Sequence, residues 1–310
     1  MPESLIHGII PIIPTPFDST GQVDEGSFRR LIDFAVVCHA DAICLPAYGS
    51  EFYKLTDEER LRLVSIAASH AHGRVPVIGQ ANHFSAYRAA ELARRMVASG
   101  ADVISVALPR LFALKEDDLF RYATTIAHAV EAPLLIQDFN PGGATVGAIF
   151  CLQLHSECPT FRYIKLEEPM MGPKMQAIHK ATDAVVNVLE GWGGLYMMEL
   201  VPAGIHGIMP GLVLCDVLHR IFRLVRNGLT VEAFTYFSAI TPYLNYSLQN
   251  MELFHWIEKK VLVARGAMSA AYVRDATLIP DPTTQAYGEF LLDRLRASYA
   301  SWGMAFSPLV

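Results

Sequence analysis

The stretch from residue 75 to residue 107, VPVIGQANHFSAYRAAELARRMVASGADVISVA, contains one complete strand–helix–strand unit. Two short apolar runs, Val75–Gln80 and Asp102–Ala107, flank an amphipathic segment, Ala89–Ser99. A serine before that segment and a glycine after it are start and stop signals for a helix. Runs that are apolar throughout are typical of strands buried on both faces, so the unit predicts two parallel strands joined by a helix.

The same alternation extends over the first two-thirds of the chain. Eight apolar runs, about 25 residues apart, predict an α/β fold of the (β/α)8 TIM-barrel type. An open doubly wound sheet would carry a glycine-rich phosphate loop after its first strand, and the sequence there is Pro14-Thr15-Pro16-Phe17. The eight runs are Gly8–Ile13, Asp41–Leu45, Val75–Gln80, Asp102–Ala107, Pro133–Gln137, Phe161–Lys165, Ala184–Glu190 and Gly204–Met209.

Three further helices follow the eighth unit, over Thr230–Asn245, Met251–Arg265 and Thr284–Tyr299. Prolines at 280 and 282 are expected to break the chain before the last of them. We therefore predict a barrel over residues 1–228 and a C-terminal helical extension over residues 229–310.

The composition is that of a packed globular protein rather than a nucleic-acid-binding or membrane protein. The 310 residues are 52% hydrophobic and 18% charged, with a formal net charge of −6 and no long basic run to neutralise phosphates. No segment approaches the roughly 18 apolar residues of a membrane span. The five cysteines form no C-x-x-C pair, so we expect neither a disulfide framework nor a zinc site, and a cytoplasmic location fits best.

In such a barrel the chemistry lies at the carboxyl ends of the strands, and strand six ends in Lys165. Burial there disfavours the ammonium form, and a neutral amine attacks ketones to form a Schiff base. The alternative is a lysine that reaches out to solvent along apolar surface. Glu167 lies two positions further and faces the same side if the strand continues, which makes it a candidate base or acid; the alternative is a structural carboxylate.

The turns after other strands supply candidate substrate-binding residues. Backbone amides near Gly49 and the Ser50 hydroxyl could hold a carboxylate, although a simple loop explains them too. His83 could bond a substrate hydroxyl, Gly191 permits close backbone approach, and Trp192 could wall a pocket; each is also explained as an ordinary loop or turn residue. The other histidines show no metal-ligand spacing, so we expect no metal.

The motifs GIIPIIPTPF at Gly8–Phe17, Gly49-Ser50-Glu51, LTDEER at Leu55–Arg60 and Tyr163-Ile164-Lys165 occur in one order along the chain. In this the chain resembles the dihydrodipicolinate synthase / N-acetylneuraminate lyase family of class I Schiff-base barrels. The resemblance implies that Lys165 is the Schiff-base lysine and that the substrate is a small 2-keto acid. It also implies that no cofactor is needed and that the protein is a homo-oligomer, a tetramer or a dimer.

Several positions depart from the family pattern. The family tyrosine at the end of strand five falls on Gln137, which can hydrogen-bond but cannot shuttle protons. The two threonines of the strand-two signature correspond to Tyr48 and Gly49, and the paired tyrosines after strand four correspond to Arg110 and Leu111. These departures argue against dihydrodipicolinate synthesis and sialic-acid cleavage.

At these positions the chain resembles one branch of the family, the 2-keto-3-deoxy-sugar-acid dehydratases. The resemblance is greatest to those of the 2-keto-3-deoxy-L-arabonate type. This branch shares Gln-Asp after strand five, a histidine after strand three and Lys-x-Glu after strand six. We therefore expect a dehydratase in which the enamine expels the C4 hydroxyl. A pyruvate-dependent aldolase stays open, with Tyr48 as a substitute base, and so does a catalytically inactive barrel that only binds keto acids.

Overall fold

The structure, a computed structural model, describes residues 5–110 and 113–309. Its eight parallel strands confirm the predicted barrel: β1 (Gly8–Ile9), β2 (Ile43–Leu45), β3 (Val77–Gln80), β4 (Val103–Ala107), β5 (Leu134–Asp138), β6 (Phe161–Leu166), β7 (Asn187–Glu190) and β8 (Gly207–Ile208). They pair in the order β1-β8-β7-β6-β5-β4-β3-β2. Backbone hydrogen bonds from Cys44 to Pro11 and from Ile13 to Cys44, both 3.0 Å, join β2 to the chain after β1 and close the barrel.

Alternate residues of each strand face opposite sides of the barrel wall. One set, which includes Leu135 and Tyr163, forms an apolar cluster inside the barrel. The other set packs against the surrounding helices. Gln137 and Lys165 lie two positions beyond Leu135 and Tyr163, and the β5–β6 register places them side by side. The strand period therefore aims both side chains at the mouth of the barrel.

Eleven α-helices are present among the described residues. Asp24 and Thr56 accept hydrogen bonds from the first turns of α1 and α2, and Thr56 forms a capping box with Glu59, as the start signals predict. The helices are α1 (Glu25–Val37), α2 (Asp57–Ala71), α3 (Ala86–Ala98), α4 (Glu116–Ala127), α5 (Ala148–Glu157), α6 (Met171–Ala181), α7 (Met197–Leu200), α8 (Cys215–Arg226), α9 (Thr230–Ser247), α10 (Met251–Ala264) and α11 (Pro282–Ser301).

Two details differ from the sequence-based expectation. Pro282 does not lie outside the last helix but is its first residue, with Asp281 as the cap, because the first turn of a helix has no use for the amide hydrogen that proline lacks. The seventh helix is a single turn of four residues. In the described part of the chain, no helix combines the length and the apolar character needed to cross a membrane.

Candidate active site

A cavity of about 530 Å³ lies at the carboxyl ends of the strands. The barrel contributes side chains from the ends of strands five and six and from the loops after strands two and seven. The opposite wall comes from residues 247–251 and from Phe254, in the α9–α10 connection and the first turns of α10. The C-terminal extension is therefore part of the cavity.

Lys165 and Glu167 form an ion pair at the base of this cavity. Lys165 Nζ lies 2.7 Å from Glu167 Oε1, and both side chains are more than nine-tenths buried. A carboxylate at this distance can take a proton from the ammonium group, which is required before the amine can attack a ketone. Lys165 therefore does not face bulk solvent, and its ion-pair partner lies in the same cavity.

A row of buried amides holds the Glu167 carboxylate in place. Gln137 Nε2 donates to both oxygens of Glu167, at 3.1 and 3.0 Å. Gln80 Nε2 donates to Gln137 Oε1 at 2.6 Å, and the Asn82 side chain lies next in the row. We did not single out Gln80 or Asn82 from the sequence. The available signal was that Gln80 ends an apolar strand in the same way as Gln137 and Lys165.

The turn after β2 brings Tyr48 and Gly49 to the cavity. Neither backbone amide has a hydrogen-bond partner among the described residues, so both are free to bind an anion. The Tyr48 ring packs edge-on against Phe52, at 5.0 Å between centroids. Burial, and then the charge of Glu167, raise the pKa of the Tyr48 phenol, so this group is a proton donor at neutral pH.

Gly191 and Trp192 also line the cavity. A Cβ atom at Gly191 would overlap Lys165 Cε and Glu167 Cγ, and it would come within 2.7 Å of Glu167 Oε1. This position therefore needs glycine because the ion pair packs directly on its backbone, rather than because of an unusual turn.

Two of the predicted substrate-binding residues do not reach the cavity in this arrangement. Ser50 is fully buried; its hydroxyl donates to the Ile13 carbonyl at 2.5 Å and its amide to Ala47 at 3.0 Å, so neither donor faces the cavity. His83 is exposed outside the cavity, where its Nδ1 accepts a hydrogen bond from the Ser85 amide at 2.9 Å.

Arg110 and Leu111 correspond to the paired tyrosines that the family pattern has after strand four, and the structure describes only Arg110. Arg110 forms a bidentate ion pair with Asp138, with contacts of 2.7 to 3.0 Å, on the side of β5 that faces away from the cavity. Leu111 lies outside the described residues. Arg110 therefore joins the segment after β4 to the end of β5 and does not take the place of a proton-shuttling tyrosine.

Glu190 is a buried carboxyl group that the sequence analysis does not identify as a candidate site residue. Its Oε2 accepts a hydrogen bond from the Gly194 amide at 2.9 Å, whereas Oε1 has no partner among the described residues. Burial raises its pKa to about 7, against the opposing effects of the Gly194 amide and the charge of Lys165. Glu190 therefore titrates near neutrality, one residue before the cavity wall.

One group of possible metal ligands occurs among the described residues, away from the cavity: His128, Glu157 and Cys158, at the ends of α4 and α5. Its His128 Nε2 and Cys158 Sγ atoms are 3.4 Å apart, and a hydrogen bond explains that contact. The cavity itself is lined by a lysine, one carboxylate, aromatic rings and backbone amides, a set suited to a carbonyl compound with a carboxylate rather than to a metal.

The profile of the Dihydrodipicolinate synthetase family matches residues 5–278. The chain belongs to this family. Its members are lyases and synthases, and we describe the protein as a lyase of the dihydrodipicolinate synthetase family. The resemblance stated from the sequence motifs is thereby confirmed.

Similarity to individual proteins spans several activities within the dihydrodipicolinate synthetase family. The chain is 28% identical to L-2-keto-3-deoxyarabonate dehydratase of Azospirillum brasilense over 86% of each chain. It is 34% identical to the putative 2-dehydro-3-deoxy-D-gluconate aldolase YagE of Escherichia coli over 45% of this chain and 46% of YagE.

The solved structures establish the shared fold. The chain superposes on YagE in complex with pyruvate with a TM-score of 0.85 at 22% identity, covering 94% of this chain and 99% of YagE. With the 4-hydroxy-tetrahydrodipicolinate synthase of Methylacidiphilum fumariolicum, the TM-score is 0.88 at 19% identity, covering 96% and 98%.

Proposed function

We propose that the protein dehydrates a 2-keto-3-deoxy sugar acid, of the 2-keto-3-deoxy-L-arabonate type, through a Schiff base on Lys165. The observation that carries the proposal is the buried Lys165–Glu167 pair, 2.7 Å apart at the base of the cavity. An amine and a carboxylate in hydrogen-bond contact provide a nucleophile and the base that activates it.

The substrate carboxylate binds the free amides of Tyr48 and Gly49, which brings its C2 ketone over Lys165. Glu167 takes a proton from the ammonium group, and the amine adds to C2. The carbinolamine hydroxyl then leaves as water with the proton held by Glu167, which restores the Glu167 carboxylate and gives the iminium, and the iminium withdraws electrons from C3. Trp192 and Gly191 bound the space above the reacting carbons, in keeping with their position on the cavity wall.

The iminium makes the C3 protons acidic, and the Glu167 carboxylate, held by Gln137, removes one of them to give the enamine. The enamine then expels the C4 hydroxyl, which leaves as water with a proton from the Tyr48 phenol. The proton that Glu167 took from C3 returns to the Tyr48 oxygen, so both groups regain their resting states. Hydrolysis consumes one water and releases the product from Lys165. The net reaction is the loss of one water, and tautomerisation yields a semialdehyde when C5 carries a hydroxyl.

Two features support dehydration over other reactions of the family. Gln137 occupies the place of the family tyrosine, and its amide group is engaged with Glu167 and Gln80. The relative that aligns with 86% of this chain is a 2-keto-3-deoxyarabonate dehydratase by name.

Aldol cleavage is the second candidate, and Tyr48 is the observation in its favour. A phenol in the cavity could remove the proton from the C4 hydroxyl, which is the step that breaks the C3–C4 bond. The raised pKa of Tyr48 opposes that role, because a base must be ionised before it accepts a proton, whereas a proton donor is needed in the protonated form that a raised pKa favours. The similarity to YagE, which is named a putative 2-dehydro-3-deoxy-D-gluconate aldolase, is the other support.

Trapping and product analysis test the proposal together. The protein is incubated with 2-keto-3-deoxy-L-arabonate or with pyruvate, reduced with cyanoborohydride and weighed intact, with peptide mapping of the adduct. We expect an adduct on Lys165, none in Lys165→Arg, and wild-type behaviour in Lys174→Arg, whose lysine pairs with Glu168 at 2.6 Å. Semialdehyde formation indicates dehydration, pyruvate plus an aldehyde indicates aldol cleavage, and the absence of any adduct leaves a binding barrel.

A further inference from the structure

A buried group of four charges joins the C-terminal extension to the turn that follows β2. Its members are Glu51 on that turn, Lys54 three residues later, and Glu252 and Lys259 on α10. Lys259 Nζ contacts Glu51 Oε1, Lys54 Nζ lies 3.1 Å from Glu51 Oε2, and Lys54 lies 2.8 Å from Glu252. Two acids thus face two bases, and the side chains of Glu51 and Lys259 are both inaccessible to solvent.

Glu51 has an unusual backbone conformation. Its φ of 60° and ψ of 35° are left-handed, a region that residues other than glycine, asparagine and aspartate seldom adopt. Such a conformation persists only where surrounding contacts hold it. Here the side chain is held on one oxygen by Lys259 and on the other by Lys54, and the preceding carbonyl, that of Ser50, accepts a hydrogen bond from the Thr15 hydroxyl at 2.7 Å.

The conformation of Glu51 affects Gly49 and Tyr48, two and three residues upstream. Their free amides open the same short turn that Glu51 closes, and the Glu51 amide bonds the Tyr48 carbonyl at 3.0 Å. Helix α10 also touches this turn directly, because a Cβ on Gly49 would lie 3.2 Å from Phe254 Cε1. Moving Glu51 therefore moves the two amides relative to Lys165.

We propose that Lys259 is a positioning residue for substrate binding: through Glu51, it sets the orientation of the Tyr48 and Gly49 amides that receive the carboxylate of the keto acid. This proposal rests on the proposed function, and it assigns the C-terminal extension a part in binding the substrate carboxylate. Lys259 itself does not line the cavity and does not touch the substrate.

The test compares a ketone that has a carboxylate with one that lacks it. Pyruvate and acetone are trapped on Lys165 with cyanoborohydride over a range of concentrations, in wild type and in Lys259→Met. We expect half-saturation for pyruvate to rise about tenfold to a hundredfold in the variant, the range for losing charge-assisted hydrogen bonds. Half-saturation for acetone should stay the same, which also shows that the variant is folded around Lys165.

Lys260→Met is the matched control, because the neighbouring Lys260 pairs with Glu289 at 3.0 Å on the surface. If Lys259→Met fails to fold because the buried Glu51 keeps only Lys54 as a charged partner, the double variant Glu51→Gln/Lys259→Met replaces it and should show the same selective loss. An equal loss for pyruvate and acetone, or no loss for either, overturns the positioning role. Absence of any adduct in wild type overturns the proposed function first, and this proposal with it.

Discussion

Gln137 Nε2 donates to both carboxylate oxygens of Glu167, at 3.1 and 3.0 Å, and Glu167 in turn contacts Lys165. A carboxylate held on two atoms by one amide has little freedom to rotate away from the amine. In the proposed mechanism the glutamine therefore orients the base, at the position where the family pattern has a proton-shuttling tyrosine.

Replacing Gln137 with leucine should lower kcat about tenfold to a hundredfold, because a misplacement of the base by about 1 Å has an effect of that size. KM for the keto acid should change little, since Gln137 does not contact the proposed carboxylate site. Steady-state kinetics with the dehydration substrate measure both parameters. A rise in KM with unchanged kcat would contradict the orienting role.

Removing the negative charge of Glu167 tests its role as the base. In Glu167→Gln we expect turnover to fall about a hundredfold to ten-thousandfold, the range for loss of a general base. Glu168→Gln is the matched control, because that neighbouring carboxylate pairs with Lys174 outside the cavity. Equal activities in the two variants would show that Glu167 is a structural carboxylate.

Adding one methyl group at Gly191 should displace the Lys165–Glu167 pair. In Gly191→Ala we expect kcat/KM to fall about a hundredfold or more. The free energy of unfolding, measured with urea, should decrease by about 1–3 kcal/mol, as it does at other overpacked sites. Gly147→Ala is the control, because nothing lies within 4 Å of a Cβ there. Full activity of Gly191→Ala would mean that the pair can shift without cost.

The raised pKa of Glu190 predicts how stability depends on pH. The pKa is about 7 in the folded protein and 4.5 in the reference state, so the folded protein binds more protons between these values. The contribution of Glu190 to the free energy of unfolding is therefore present below about pH 4.5 and is lost as the pH rises through 7. The full loss corresponds to about 3 kcal/mol.

Glu190→Gln removes this titration, because the amide stays neutral at every pH. Urea unfolding of both proteins at pH 5 and at pH 8 gives the comparison. The stability of the variant relative to wild type should increase from pH 5 to pH 8 by a few kcal/mol at most, while titrations common to both proteins cancel. A difference that is the same at both pH values would show that Glu190 is already ionised at pH 5.

The elements of the fold could be predicted because their signals are local. A strand buried on both faces is an apolar run, and the cap residues Asp24, Thr56 and Ser85 each bond an amide three residues away. Lys165 and Gln137 could be placed for the same reason, since the two-residue period of a strand fixes which side each faces. The same period also aims Gln80 at the mouth of the barrel, but the hydrogen bond from Gln80 to Gln137 depends on the pairing of side chains across strands and could not be predicted.

What could not be predicted depends on contacts between distant parts of the chain. Ser50 is unavailable to substrate because its hydroxyl meets the Ile13 carbonyl, a contact set by how the chain after β1 packs beside β2. The pairing of Glu51 with Lys259 spans 208 positions. For His83, a hydrogen bond from the Ser85 amide fixes the ring outside the cavity, and a histidine in a loop gives no sign of such a contact in the sequence.

The wall supplied by residues 247–251 and Phe254 also determines when during synthesis the cavity comes into existence. A chain synthesised only as far as the end of the last strand, at Ile208, does not yet contain this wall. A keto acid bound as proposed therefore stabilises the barrel together with its extension, because a ligand stabilises only a state that can bind it.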